Sequence, residues 1–245
     1  MTKARPTIRQ EPQKVLRGVS LFMDLDDGDL NEIVSLANKR RYTARQIIVR
    51  QQEPGTELFV ILQGHAKVVS SDAEGRDTVL AVMGPGEVFG EVSLLDGALR
   101  SATIIALDAC EMLVIARDPF MSFLESRPKI AIRLLVVLAT RLRRLTKRSE
   151  DIAFLDVAAR LAKRIVSLAD EYGMGLGHEV RVVVKLSQQE FGDLVGASRE
   201  SANKHLRAWE QLGIISQQSG YLTVHDLPRL RAIASMGHDG TALAP

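Results

Sequence analysis

Cysteine is almost absent from this chain. Its one thiol, Cys110, has no second cysteine to pair with, which excludes an internal disulfide. It also excludes the four thiolates of an ordinary iron–sulfur cluster. A chain without disulfides suits a reducing compartment, and the expected location is the cytoplasm. Cys110 sits in Ala106-Leu107-Asp108-Ala109-Cys110-Glu111-Met112-Leu113-Val114 and reads as a small core residue. Long apolar runs are missing as well. The longest, Leu134 to Ala139, is closed off by Arg133 and Arg141 and falls far short of the roughly 18 residues needed to cross a bilayer. The first ten residues are polar and lack the apolar stretch of a signal peptide, so they read as a mobile arm with no membrane role. Net charge is only +2, so bulk charge names no partner. The five histidines (65, 178, 205, 225 and 238) are scattered. None has metal-ligand spacing such as H-E-x-x-H and none neighbours Cys110, so nothing in the pattern points to an enzyme.

What is present is ordinary material for packed cores: 46% hydrophobic and 25% charged residues over 245 positions, enough for one or two domains. Residues 21 to 40 read as helix, with Leu25, Leu30, Ile33, Val34 and Leu36 among charges. Short strands follow at 47–50, 57–62, 65–69, 78–82 and 101–106, punctuated by Pro54-Gly55, Gln63-Gly64, Asp72–Gly75 and Pro85-Gly86. Many short strands at that spacing suggest a barrel-like or sandwich-like unit.

Between two of those strand runs lies the most informative stretch, Phe89-Gly90-Glu91-Val92-Ser93-Leu94-Leu95-Asp96-Gly97-Ala98-Leu99-Arg100-Ser101-Ala102-Thr103. Arg100 offers a planar fork of donors matched to phosphate oxygens. Glu91 accepts hydrogen bonds from hydroxyls such as those of a sugar. Gly90 lets backbone approach a ligand closely. Together they read as a site for a small phosphorylated sugar such as a nucleotide. A surface loop carrying a weak Glu91–Arg100 ion pair fits the same spacing.

Helix returns at Asp118, the expected N-cap of a short helix before Arg127-Pro128. A long helix comes next. Ala131, Leu135, Leu138, Leu142, Leu145, Ser149 and Ile152 recur in alternating steps of four and three, a heptad seam with basic residues between. Such a stripe either packs on its own domain or meets a second helix, and its narrowness favours a partner helix. Phe154-Leu155-Asp156 breaks the pattern as a hinge. Asp156 is placed to cap a helix over 157–172, Gly173–Gly177 reads as loop, and 181–184 as strand.

In Leu186-Ser187-Gln188-Gln189-Glu190-Phe191-Gly192-Asp193-Leu194-Val195-Gly196-Ala197-Ser198-Arg199-Glu200-Ser201, Ser187 and Glu190 form a capping box. Gly196 supplies a tight turn and Ser198 caps the next helix, the layout of a helix-turn-helix. Arg199 suits guanine O6 and N7, and Glu200 suits cytosine N4. Lys204 shares their face. Ser187, Gln189, Ser201 and Arg207 are candidate phosphate contacts. The hairpin 214–224 would be a wing. Basic and acidic residues are equal in number from 156 to 229, which leaves a protein-contact role open for the same helices.

The two long segments, in that order, resemble the phosphate-binding cassette and the helix-turn-helix of the CRP/FNR family of bacterial transcription regulators, over about residues 21 to 224. The resemblance implies an α+β chain: an N-terminal cyclic-nucleotide-binding β-roll, a long dimerisation helix and a C-terminal winged helix-turn-helix. The implied boundaries are 1–18 for a flexible arm, 19–128 for the β-roll, 129–155 for the dimerisation helix and hinge, 156–229 for the DNA-binding domain and 230–245 for a tail. The implied effector is cyclic AMP, with cyclic GMP as alternative. Its site is Gly90, Glu91, Val92, Arg100, Ser101, Leu145 and Thr146, with Glu91 on the ribose 2′-hydroxyl and Arg100 and Ser101 on the phosphate. Implied partners are double-stranded DNA with TGTGA-like inverted repeats, a second copy of the chain, and RNA polymerase. No metal is implied. Leu145 departs from the family's threonine. From that we expect weaker discrimination between the two cyclic nucleotides, or a dimer that needs less ligand. A same-fold regulator with another effector, or with constitutive DNA binding, is the alternative.

Overall fold

The computed structural model describes residues 12–235. Helices α1 (Pro12–Gly18) and α2 (Asp27–Leu36) come first. They are followed by strands β1 (Ala37–Tyr42), β2 (Ile47–Val49), β3 (Glu57–Gln63), β4 (Ala66–Ser71), β5 (Asp77–Met83) and β6 (Val88–Phe89). The short helix α3 (Glu91–Asp96) leads to β7 (Thr103–Ala106) and β8 (Cys110–Ala116), then to α4 (Arg117–Ser126) and α5 (Pro128–Phe154). The chain continues with α6 (Val157–Tyr172), β9 (Gly173–Leu176), β10 (Glu179–Val182), α7 (Gln188–Val195) and α8 (Arg199–Gln211). It closes with β11 (Ile215–Gln218), β12 (Tyr221–Val224) and α9 (Leu227–Ser235). The sheets have strand orders β1-β8-β3-β6, β2-β7-β4-β5 and β11-β12-β10-β9. By internal contacts, the described residues 12–66 group with 83–139, and 67–82 with 140–235.

In the first unit the period-two alternation of a strand sets the core. Leu58, Val60 and Leu62 of β3 and Leu113 and Ile115 of β8 turn to a helical layer, where they meet Leu16, Phe22, Leu30, Ile33, Phe120, Phe123 and Leu134. The intervening Phe59, Ile61, Met112 and Val114 are also buried, on the opposite face. That is why both strands read as unbroken apolar runs. Phe59 stacks flat on Phe89 of β6, with centroids 4.8 Å apart.

In the second unit, α6 buries Leu161, Ile165 and Leu168. Asp156 caps it, accepting from the Ala159 N–H at 2.7 Å. The helices α7 and α8 meet closely at Gly192, where an added Cβ would stand 2.8 Å from the Ala197 carbonyl. Gly196 between them is left-handed, φ 64°. The capping box is present on both sides: Ser187 Oγ accepts from the Glu190 N–H, and the Glu190 carboxylate accepts from the Ser187 N–H at 2.7 Å.

Several expectations are corrected. The helix read over 21–40 is shorter: α2 ends at Leu36, and Ala37–Tyr42 is the strand β1, laddered on β8 from Ala37↔Ile115 to Tyr42↔Cys110. The arm does not extend over residues 12–18, because they form α1 and bury Leu16 completely. The tail does not start at 230, because α9 continues to Ser235 and buries Leu230 and Ile233. The rest of both terminal segments, 1–11 and 236–245, lies outside the described residues. Asp118 is not an N-cap: Ala116 holds that position without a side-chain bond, and Asp118 sits in the first turn of α4. Gly173–Leu176, read as loop, is the edge strand β9, paired with β10. Among the described residues, no helix is long and apolar enough to cross a membrane.

Candidate anion pocket and nucleic-acid interface

The turn from β6 into α3 requires glycine. Gly90 has φ 86°, and a Cβ there would stand 2.6 Å from Arg100 Nη1 and 2.7 Å from the Glu57 carbonyl. Its conformation brings Glu91 into the first turn of α3, where the carboxylate residue is only 2% exposed. Arg100 comes from the loop before β7. Its backbone is tied on both sides, N–H to the Glu53 carbonyl at 2.8 Å and carbonyl to the Gln52 N–H at 2.9 Å.

The Arg100 guanidinium is 6% exposed. Nη1 donates to the Gly90 carbonyl at 2.9 Å and to Ser93 Oγ at 3.0 Å, and Nη2 donates to the Glu57 carbonyl at 2.8 Å. Its carbon lies 5.8 Å from the Phe59 ring centre. All three acceptors are neutral. Burial pulls the guanidinium pKa below its ordinary value, and the charges of Glu57 and Glu91 oppose that pull. The Glu57 carboxylate itself is bonded to Arg40, with Arg40 Nη1 donating to Oε2 at 2.9 Å. The pocket thus holds a buried cation without a carboxylate in direct contact, an arrangement that favours a bound anion.

Gly90, Glu91 and Arg100 therefore gather in one place, within the first unit. Ser101 follows Arg100 and is exposed, and Val92 faces outward at 44% exposure. Leu145 and Thr146 lie on α5 in the second unit. Leu145 is 61% exposed, and the Thr146 hydroxyl donates back to the Leu142 carbonyl at 3.1 Å. Three participants were not foreseen: Ser93, the Glu57 carbonyl and Gly55. Ser93 was visible as a hydroxyl inside the same segment. A backbone carbonyl carries no signal in the residue letters, and Gly55 read only as a turn.

On α8, Glu200, Asn203, Lys204, Arg207 and Gln211 line one open groove, and Arg199, Glu200, Lys204 and Arg207 are exposed. Ser198 caps the helix, accepting from the Ser201 N–H at 3.1 Å. Ser187 Oγ is engaged as a cap, and Gln189 Nε2 donates to Asp193 at 2.7 Å. Burial lowers the His205 pKa, which favours the neutral imidazole on that helix. At the wing, Arg181 and Lys185 sit 4.2 and 4.8 Å from the Tyr221 ring centre.

A buried cation bonded only to neutral oxygens in the first unit, and a capped helix pair with a polar outward face in the second, are the parts that a ligand-responsive DNA-binding regulator needs. Residues 39–127 match the cyclic nucleotide-binding domain and residues 159–233 the Crp-like helix-turn-helix domain. The chain belongs to the CRP/FNR family of transcription regulators, which are not enzymes. It is 31% identical to the CRP-like cAMP-activated global transcriptional regulator of Mycobacterium tuberculosis, over 89% of this chain and 97% of that protein. It is 30% identical to the cAMP-activated global transcriptional regulator CRP of Escherichia coli O157:H7, over 81% and 95%. Among solved structures it is similar to the c-di-GMP responsive regulator CLP of Xanthomonas campestris (TM-score 0.71, 25% identity, 82% of this chain and 99% of that one). It is also similar to the Thermus thermophilus catabolite activator protein (TM-score 0.51, 28% identity, 88% and 98%). The chain is accordingly a cyclic-nucleotide-responsive, DNA-binding transcription regulator.

Proposed function

We propose that the effector is cyclic AMP and that nucleotide binding enables a homodimer to grip TGTGA-like inverted repeats. One observation carries the effector half: the buried Arg100 guanidinium makes three of its five possible hydrogen bonds, all to neutral oxygens. A cyclic phosphodiester brings an anionic acceptor into direct contact, which none of those oxygens supplies. In this reading Arg100 and Ser101 hold the phosphate, with Gly90 and Val92 shaping the turn. Glu91 accepts from the ribose 2′-hydroxyl, and Leu145 and Thr146 of α5 meet the purine.

The dimer half is supported by the α5 seam. Leu135, Leu142, Leu145 and Ile152 stand 64, 65, 61 and 48% exposed, a stripe of apolar surface at heptad spacing that a second copy of α5 would cover. Two-fold symmetry then imposes the inverted repeat. Arg199, Glu200 and Lys204 read bases, while Ser187, Gln189, Ser201 and Arg207 hold phosphates. RNA polymerase is the onward partner. Residues 19–128, 129–155 and 156–229 divide these tasks, and the cytoplasm is the compartment. Nucleotide shifts the population toward the DNA-competent state only by its difference in affinity between states.

Calorimetry with cyclic AMP, cyclic GMP and c-di-GMP tests the effector. Cyclic AMP is expected to bind the wild type and to lose at least about 100-fold in affinity with Arg100→Leu. Binding of c-di-GMP alone, or equal cyclic AMP affinity in both proteins, refutes the assignment. The Xanthomonas campestris relative is a c-di-GMP responsive regulator, which makes c-di-GMP the relevant competitor.

A further inference from the structure

Ser93 lies in α3, is 3% exposed, and directs its hydroxyl at the guanidinium of Arg100. Among the described residues, Arg100 is the only hydrogen-bond partner of that hydroxyl, and it uses the oxygen as an acceptor at 3.0 Å. A serine hydroxyl has two lone pairs and one proton. Here one lone pair is engaged and the proton has no acceptor, inside a pocket from which solvent is nearly excluded. The same spot is closed from above. A Cβ on Gly55 would fall 2.1 Å from Ser93 Oγ and 3.1 Å from Arg100 Nε. The Pro54-Gly55 turn therefore presses on the Ser93 hydroxyl and the guanidinium together. Closing that turn over two polar groups requires a residue with no side chain.

We propose that Ser93 is a phosphate-positioning residue: its hydroxyl donates its proton to one exocyclic oxygen of the bound cyclic phosphate while its lone pair keeps Arg100 aligned. The inference rests on the cyclic-nucleotide reading above. Its chemistry is simple. The anion supplies the acceptor that the proton lacks, and the oxygen of Ser93 remains bonded to Nη1. Ser93 then couples the cation to the orientation of the phosphate. It selects between the two exocyclic oxygens, which are not equivalent in a ring phosphate. The alternative role is structural, with Ser93 serving only to hold the resting rotamer of Arg100.

Phosphorothioates separate the two roles, because sulfur is a poor hydrogen-bond acceptor. Affinities of cyclic AMP and of its Rp and Sp phosphorothioates are measured by calorimetry for the wild type, Ser93→Ala and Ser93→Cys. We expect Ser93→Ala to weaken cyclic AMP about tenfold and to shrink the Rp/Sp affinity ratio several-fold, with Ser93→Cys, a weak donor, in between. An Rp/Sp ratio identical in all three proteins overturns the inference, whatever happens to the absolute affinity. If Ser93→Ala does not fold, the Ser93→Cys ratio decides in the same way. A wild type that does not bind cyclic AMP overturns the cyclic-AMP reading and this inference together. A wild type that binds it with a ratio insensitive to position 93 overturns this inference alone.

Discussion

At the scale of single residues, close approach and burial decide what each side chain does. Gly55 has an ordinary backbone conformation, so an alanine there is opposed purely by contact with Ser93 and Arg100. Gly55→Ala is expected to lower nucleotide affinity at least about tenfold, read by calorimetry, because both polar groups must move. Cys110 is a buried thiol, as its apolar surroundings suggested, 3% exposed. Burial first, then the nearby Asp108 charge, pushes its pKa from an ordinary 9.0 to about 11. The folded state thus disfavours the thiolate. The stability this contributes is complete below pH 9 and is lost as pH climbs from 9 to about 11. Urea midpoints of the wild type should fall over that window more steeply than those of Cys110→Ala. Parallel curves would contradict it. Cys110 should also resist alkylation at neutral pH until the protein unfolds.

At the scale of elements, local signals and neighbours divide the work. The α7 capping box was legible because Ser187 and Glu190 stand three apart before an apolar run, and both reciprocal bonds are present. Ser187→Ala is expected to cost about 1 kcal/mol, seen as a lower unfolding midpoint. The strand β1 was not legible. Its sequence, Ala-Asn-Lys-Arg-Arg-Tyr, shows no alternation, and its central four residues are exposed. It is a strand because β8 offers it a hydrogen-bonding edge, and no residue letter within 37–42 records that edge. The glycine-rich β9 is extended for the same reason, beside β10. The α5 seam was legible as a repeat. Leu142→Asp places a charge in its middle and is expected to convert a dimer into a single chain by light scattering, while α5 itself keeps its helicity. A protein that is already a single chain before the substitution would refute the dimer.

At the scale of the whole molecule, the prediction concerns information transfer between effector and DNA. Titration on an inverted repeat with single-base changes should show Arg199→Ala losing roughly 1–3 kcal/mol and its preference at one guanine. Gln189→Ala, in contrast, should weaken every variant alike. Uniform losses for Arg199→Ala would remove it from base reading. Leu145→Thr should sharpen the preference for cyclic AMP over cyclic GMP if the exposed leucine has displaced a polar contact to the purine. An unchanged preference would mean that purine discrimination lies elsewhere. Operator binding by the wild type without nucleotide, if as strong as with it, would make the chain a constitutive binder.

The sequence by itself determined the local pieces: a glycine directly ahead of Glu91, an arginine ten residues after Gly90, a capping box, and a second capped helix after Gly196. Each depends on neighbours a few residues away, so spacing was enough to identify it. Only the tertiary structure decided which oxygens face the guanidinium of Arg100, because Glu57 and Gly55 are brought to it from more than forty residues away. It likewise made α1 and the end of α9 parts of packed cores. Burial is a property of what lies opposite a side chain, and the order of residues along one strand or helix does not contain it.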